Sequence, residues 1–397
     1  MNKKANIITL FVFVGIIALL SVLFVFKKDE SFSEQENRDL QTLPKITSET
    51  LFNGTYSKQI NSYFADQFPL RDFFVGMKGT SELAMLKGEN NGVLFGDDGY
   101  LAVRSFSVLD DNGKLTNPTD YYSEKVLSAH FKGLKKLQSN LNAQEIEFAV
   151  IIPPRTIDLA TWKLNFPSDN SLELQSFIGE GLKDINYIDI FPMLKEKFEN
   201  DEYVYYRTDH HYTSLGAYYT YCEVMRQYCM EDDIIPLSDF EVKVVSEEFY
   251  GTTWSKAGFK FVEPDQICYF DYKNSDEVSE YTTIKDGVSF KGFYDFLLLD
   301  TKDKYSFFIG GISKLTTITK TSGNEVGTRP KMLLAKDSFG LSLVPFLALH
   351  FDLEIVNVAD EEIKFLSNIA TKKNCDYVLV VYNTENLIST KYIAAFH

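Results

Sequence analysis

The sequence predicts an α/β fold, a mainly parallel sheet with helices on both faces, preceded by one N-terminal apolar helix. Three observations carry that reading. Residues 121–228 alternate helical periods with short apolar runs, the alternation returns at 331–383, and residues 7–26 form an uncharged run long enough for a bilayer. At 397 residues the chain is two to three times a typical domain, which suits one large α/β domain with an insertion or two domains.

Composition removes several classes. With 45% hydrophobic and 24% charged residues, the chain is neither disordered, collagenous nor a disulfide-stapled miniprotein. Forty basic and 56 acidic residues give −16. Residues 1–28 hold four lysines and no acid, so the remainder carries 36 − 56 = −20. That charge repels phosphate backbones and argues against a nucleic-acid partner.

Ile7 to Phe26 is apolar over twenty residues, about 30 Å as a helix. Lys3, Lys4, Lys27 and Lys28 flank both ends, so charge alone does not orient it. A cleavable signal would have a shorter apolar core and a small-residue cleavage site, which Phe24-Val25-Phe26-Lys27-Lys28 does not offer. The expectation is an uncleaved single-pass anchor in the cytoplasmic membrane with the body outside; a tethered cytosolic body is the alternative. Cys222, Cys229, Cys268 and Cys375 form no CxxC pair and are expected as small buried hydrophobes. Cys222 and Cys229, on one helix, would stand about 10 Å apart, too far to bridge.

Three regions follow: 1–28 as cytoplasmic tail and anchor, 29–115 as a membrane-proximal helical leader and hairpin, and 116–397 as the α/β body. Residues 29–50 are polar and extended. Ser48 to Lys87 reads as two helices meeting at Phe68-Pro69-Leu70-Arg71. Asp97-Asp98-Gly99 between apolar pieces signals a hairpin. In the body, helices are expected at 121–141, 172–182 and 214–228, with strands at 146–152, 187–190 and 203–206. Residues 231–330, rich in β-branched residues, aromatics and turns, read as a β-rich insertion. Then come a strand at 332–335, a helix at 339–350 bent by Pro345, a strand at 353–358, a helix at 361–372 and a strand at 377–382.

Ligand chemistry in such sheets lies beyond the carboxyl ends of strands. Thr208-Asp209-His210-His211-Tyr212-Thr213-Ser214 follows one expected strand and Lys336-Asp337-Ser338-Phe339-Gly340 another. In extended chain Asp209 and His211 face one side, with His210 turned away. A carboxylate beside imidazole fixes its tautomer and stabilises its cation. Ser338 sits on a strand-to-helix turn, where free amides can meet an oxyanion. Against an α/β-hydrolase elbow, Lys336 stands at the first glycine position and only Gly340 matches. Two other uses of Asp209-His210-His211 stay open: a helix-capping cluster, and a divalent-metal site, for which Asp189 is the only further carboxylate at a strand end. His130, His350 and His397 read as structural.

Thr208-Asp209-His210-His211-Tyr212-Thr213 with Gly216-Ala217-Tyr218 resembles the signature of the bacterial DHHW family, itself similar to the SGNH-hydrolase-like alginate O-acetyltransferases. Supporting matches are Glu36-Asn37-Arg38, Phe64-Ala65-Asp66-Gln67-Phe68-Pro69-Leu70-Arg71, Gly251-Thr252-Thr253, Asp303-Lys304-Tyr305-Ser306, Gly310-Gly311 and Lys336-Asp337-Ser338. The resemblance spans about residues 31 to 385. It implies an SGNH-like sheet and a Ser338, His211, Asp209 triad in permuted order, the Asp-x-His element preceding serine. No cofactor and no metal are expected. The implied partners are a membrane-bound O-acyltransferase that delivers the acyl group and a cell-surface polysaccharide that accepts it.

Two positions depart from the family pattern. Tyr212 replaces the naming tryptophan, and with His210 it is expected to line the substrate site. Ile312 follows Gly310-Gly311 where asparagine is expected, leaving the backbone amides of Ser338 and Gly311 to form the oxyanion hole. The implied activity is ping-pong O-acyl transfer, with acetyl as the expected group; a carbohydrate esterase and a non-catalytic glycan-binding scaffold are the alternatives.

Overall fold

The computed structural model describes residues 3–33, 38–116, 121–164, 169–259, 262–358, 365–391, 393 and 396. Two compact units emerge: residues 1–90 with 258–261, and residues 91–257 with 262–397. The hairpin expected with the leader therefore belongs to the larger unit.

In the smaller unit, helix α1 (Lys3–Phe26) is apolar and long enough to cross a membrane. Three helices follow where two were expected: α2 (Ser48–Phe52), α3 (Thr55–Asp66) and α4 (Arg71–Ala84). Two of the family motifs meet here. Arg38 grips the Asp66 carboxylate with both guanidinium nitrogens, at 2.6 and 3.1 Å, and the Gln41 amide adds a third bond at 2.9 Å. The Arg38 hydrogen bond, opposed by burial, keeps the Asp66 carboxyl below its ordinary range. Glu36 and Asn37 lie outside the described residues.

The larger unit is built on one mixed sheet. Its strands are β1 (Glu147–Ile151), β2 (Tyr187–Ile188), β3 (Tyr281–Lys285), β4 (Val288–Lys291), β5 (Leu315–Lys320), β6 (Lys331–Lys336), β7 (Asp352–Asn357) and β8 (Tyr377–Val381), in the order β4-β3-β5-β7-β6-β8-β1-β2. From β7 to β2 the pairing is parallel; β5, β3 and β4 extend it antiparallel. The central strands are continuous apolar runs, as strands covered on both faces require. Helix Gly340–Ala348, apolar except for Ser342 and wholly buried with Pro345 inside it, packs against helix Ser214–Gln227. Helix Leu366–Lys373 packs against Glu124–Asn142. The chain leaves β6 to form β7 on one side and returns to form β8 on the other, so the strand order reverses at β6.

Several expectations change. The insertion is not separate from the sheet, because β3, β4 and β5 belong to it; the hairpin Phe240–Phe249 with Asp265–Tyr272 stands apart. Tyr203–Tyr206 is no sheet strand. Its backbone pairs within its own loop, Tyr206 N to His211 O at 3.2 Å and Thr213 N to Val204 O at 2.9 Å. Cys222 and Cys375 are buried as expected, but Cys229 is exposed past the end of its helix. Residues 361–364 of the expected 361–372 helix, and His397, lie outside the described residues.

Lys336 ends β6 at 3% exposure, its stem packed on Gly340, and no acid lies within ion-pair distance among the described residues. Burial first, and Lys285 nearby, push its ammonium down to about 8 against the pull of Asp337. The unfolded chain then binds the extra proton between pH 8 and 10.5, so this group makes stability rise with pH in that window. Lys336→Met should raise unfolding free energy at pH 7 by about 1–3 kcal/mol. Denaturant titrations should show the gain fading by pH 10.5; a gain independent of pH would contradict this account.

Candidate active site

The carboxyl ends of β6, β8 and β1 form one floor. The Asp337 amide continues the ladder to Val381 O, Tyr382 N to Ile151 O, and Thr384 N to Pro153 O, at 3.0–3.1 Å. Ser338 stands above this floor, half-buried between the buried Asp337 and Phe339. A tight turn, Gly340 N to Asp337 O and Leu341 N to Ser338 O, lifts it ahead of helix Gly340–Ala348.

His211 Nε2 lies 2.8 Å from Ser338 Oγ, and its Nδ1 lies 2.5 Å from Asp209 Oδ1. The structure thus brings Ser338, His211 and Asp209 into one chain of hydrogen bonds. The Asp209 carboxylate also accepts from the His211 amide at 3.0 Å, the Thr252 amide at 2.8 Å and the Thr252 hydroxyl at 2.9 Å. Burial alone would raise its pKa, but His211, His210 and these donors overcome that and hold the carboxyl well below its usual range. Gly251 admits the approach: a Cβ there would fall 2.2 Å from Asp209 Cβ.

His210 does not face away. A turn, not an extended segment, carries residues 207–211, and His210 lies with its ring centroid 3.8 Å from that of His211. Its Nδ1 is 2.6 Å from Thr252 Oγ1. Since that hydroxyl donates its one hydrogen to Asp209, His210 Nδ1 must donate to Thr252, leaving Nε2 as an acceptor. His210 lines an open pocket with Ser338, Thr252, Asn383, Glu385 and Asn386. Packing first, then the His211 charge, lower its pKa.

Tyr212 is fully buried and lines no part of that pocket. Its hydroxyl donates to Phe339 O at 2.7 Å, so the residue at the tryptophan position braces the nucleophile turn from beneath. Gly311 is also differently used. Its amide donates to Phe308 O at 3.0 Å, closing a turn, and is already spent. Asp209, His210 and His211 bring possible metal-ligand atoms within 4.8 Å of one another; Asp209 and both nitrogens of His211 are engaged in the hydrogen bonds above, while His210 keeps Nε2 open.

Other residues complete the site. Tyr305 stacks on His211 at 4.1 Å and 13°. Asp265, from the insertion, takes the amides of Arg207 and Thr208, the Thr208 hydroxyl and the Tyr203 hydroxyl, pinning the loop's start. Asp337 Oδ1 accepts the Phe339 amide; Oδ2 accepts the Asn383 amide and the carboxamides of Asn383 and Asn386, at 2.7, 2.7 and 3.0 Å. Thr252 and Tyr305 stood in motifs already noted, without a role; Asp265, Asn383 and Asn386 had no local signal, because strand order decides what they adjoin. His130 is buried and His350 half-buried against the Tyr221 hydroxyl at 2.8 Å, and desolvation pushes both down to about 4, a structural signature.

Tyr212→Phe should leave the buried Phe339 carbonyl without this donor and cost about 1–3 kcal/mol in urea unfolding. Unchanged stability would show that Tyr212 does not brace the turn.

Residues 120–358 match the DHHW protein family. No curated protein matches the chain. Among solved structures it resembles a DHHW family protein from Eubacterium siraeum, at 19% identity over 77% of this chain and 95% of that one, with a TM-score of 0.57. It also resembles PatB1 of Bacillus cereus, at 19% identity over 76% and 98%, with a TM-score of 0.59; PatB1 has also been solved with a sulfonyl adduct. The match spans more than half of the sequence, and the chain belongs to the DHHW family.

Proposed function

We propose that this protein is a membrane-anchored, extracytoplasmic O-acyltransferase that moves an acyl group, acetyl as the first expectation, through Ser338 to a hydroxyl of a cell-surface polysaccharide. The observation that carries the reading is the Asp209–His211–Ser338 chain of hydrogen bonds at the edge of an open pocket. Serine is a weak nucleophile until a base takes its proton, and His211 Nε2 is within reach to do so while Asp209 holds Nδ1–H.

In the first half-reaction Ser338 Oγ bonds to the acyl carbon, His211 takes the Ser338 proton, and that proton leaves with the donor's alcohol oxygen. In the second, an acceptor hydroxyl gives its proton to His211 as its oxygen attacks the acyl-serine; the proton returns to Ser338 Oγ. His210 Nε2 offers a lone pair to hold the incoming hydroxyl. The permuted order, Asp209 and His211 before Ser338, suits an SGNH-like site. The donor would come from a membrane-bound O-acyltransferase, as the family resemblance implies, and the anchor would tether the chain to the same membrane.

The oxyanion donors follow from the same geometry. A carboxamide has two N–H groups, and Asn383 and Asn386 each spend one on Asp337 Oδ2. The remaining N–H of each, and the Ser338 amide, have no acceptor among the described residues, and all three residues line the pocket. They take the part that Gly311 cannot, and offset the loss of an asparagine at Ile312. An esterase differs only in the second half-reaction, where water replaces the sugar; the open pocket favours it as the second reading.

Steady-state kinetics with an activated acetyl ester and oligosaccharide acceptors test this. Parallel double-reciprocal plots and labelled sugar are expected. Ser338→Ala should lower transfer by about 10³-fold or more, and Asn386→Ala by about 10- to 100-fold in kcat. Acetate release indifferent to every acceptor would favour the esterase, and activity retained by Ser338→Ala would remove both.

A further inference from the structure

The geometry points to a second membrane contact: the outer face of α3 and α4 lies in the lipid headgroup boundary at the foot of α1. This rests on reading α1 as the anchor. At about 1.5 Å per residue, the 24-residue α1 slightly exceeds a hydrocarbon core of about 30 Å, so Phe24, in its last turn, falls near the bilayer boundary. Phe24 stacks on Phe64 of α3 at 5.4 Å and meets the Tyr63 ring edge-on at 5.8 Å. Tyr63 then hydrogen-bonds Asp29, just beyond the helix, at 3.1 Å. Rings toward the apolar side and a hydroxyl toward charge is the arrangement of an interfacial anchor. These contacts hold α3 at the depth where the membrane ends.

The face presented there is apolar. Phe64 of α3 and Phe68, just past its end, are 53% and 40% exposed; Leu70, which caps α4, and Phe74 and Met77, on one side of it at i and i+3, are 59%, 40% and 51% exposed. The opposite side of α4 carries Gly76 and Gly79, which are buried; a Cβ on Gly79 would fall 2.9 Å from Gly258 O. The glycine side packs inside the unit and the large apolar side is left outward. A lipid surface is the occupant that continuity with α1 selects, because an amphipathic helix in the boundary buries its apolar face about 5–10 Å deep.

The test uses the full chain in phosphatidylcholine/phosphatidylglycerol vesicles, with and without acyl-chain bromine, which quenches nearby tryptophan. Leu70→Trp and Met77→Trp should each add fluorescence that bromine reduces by about twofold or more. Asp72→Trp, on the glycine side, should add fluorescence that bromine leaves within about a fifth. Val14→Trp, inside α1, reports insertion. Quenching at Val14→Trp without quenching at Leu70→Trp and Met77→Trp would overturn this contact while leaving the anchor intact. Concentration-dependent, bromine-insensitive emission at those two positions would assign the face to a second copy and overturn it equally. No quenching at Val14→Trp would remove the anchor and this contact together, leaving the serine chemistry untouched.

Discussion

Asp209 is 1% exposed, and a carboxylate withdrawn from water stays ionised only when donors meet both oxygens. His211 supplies one set through its ring and its own amide; Thr252 supplies the other through amide and hydroxyl. Each donor is fixed by something else. Thr252 begins a short helix that Gly251 allows close to Asp209, and His211 is held flat by Tyr305. The imidazole that faces Ser338 is therefore oriented before any substrate arrives, and orientation paid in folding is not charged to the reaction.

Two further buried carboxylates repeat the device. Asp265 binds the start of the loop that carries Asp209, and Asp337 binds the nucleophile turn to the loop after β8. Burial raises the pKa of both Asp265 and Asp337, with hydrogen-bond donors opposing it in each case. Asp265 and Thr252 come from residues 231–330, whereas Ser338 and Asn383 follow the ends of β6 and β8. The pocket is lined from both stretches, by Thr252, Thr253 and Lys256 and by Ser338, Asn383 and Asn386.

The sequence disclosed the parts that local chemistry writes. Met332 to Ala335 is an apolar run followed at once by polar residues and a helix, which locates the Ser338 turn, and Asp-x-His names its own partners. Extended alternation would send His210 outward, whereas a turn keeps it at the pocket. The motif alone places Tyr212 at the substrate site, but a buried phenol must find an acceptor, and Phe339 O is that acceptor. Asn383, Asn386 and Asp265 were not legible, because parallel strand order and the placement of a β-rich insertion are long-range facts. Gly311 failed as an oxyanion donor for a related reason: a turn had already claimed its amide.

The most direct test is whether Ser338 forms a covalent adduct that depends on His211. Intact-mass analysis of the detergent-solubilised chain after exposure to a sulfonyl fluoride should give a single adduct, mapped by peptide digestion to Ser338. Ser338→Ala should give none, and His211→Ala should form it at least about 100-fold more slowly. An equal adduct on Ser338→Ala, or none on the unaltered chain, would contradict the assignment of Ser338 as an activated nucleophile.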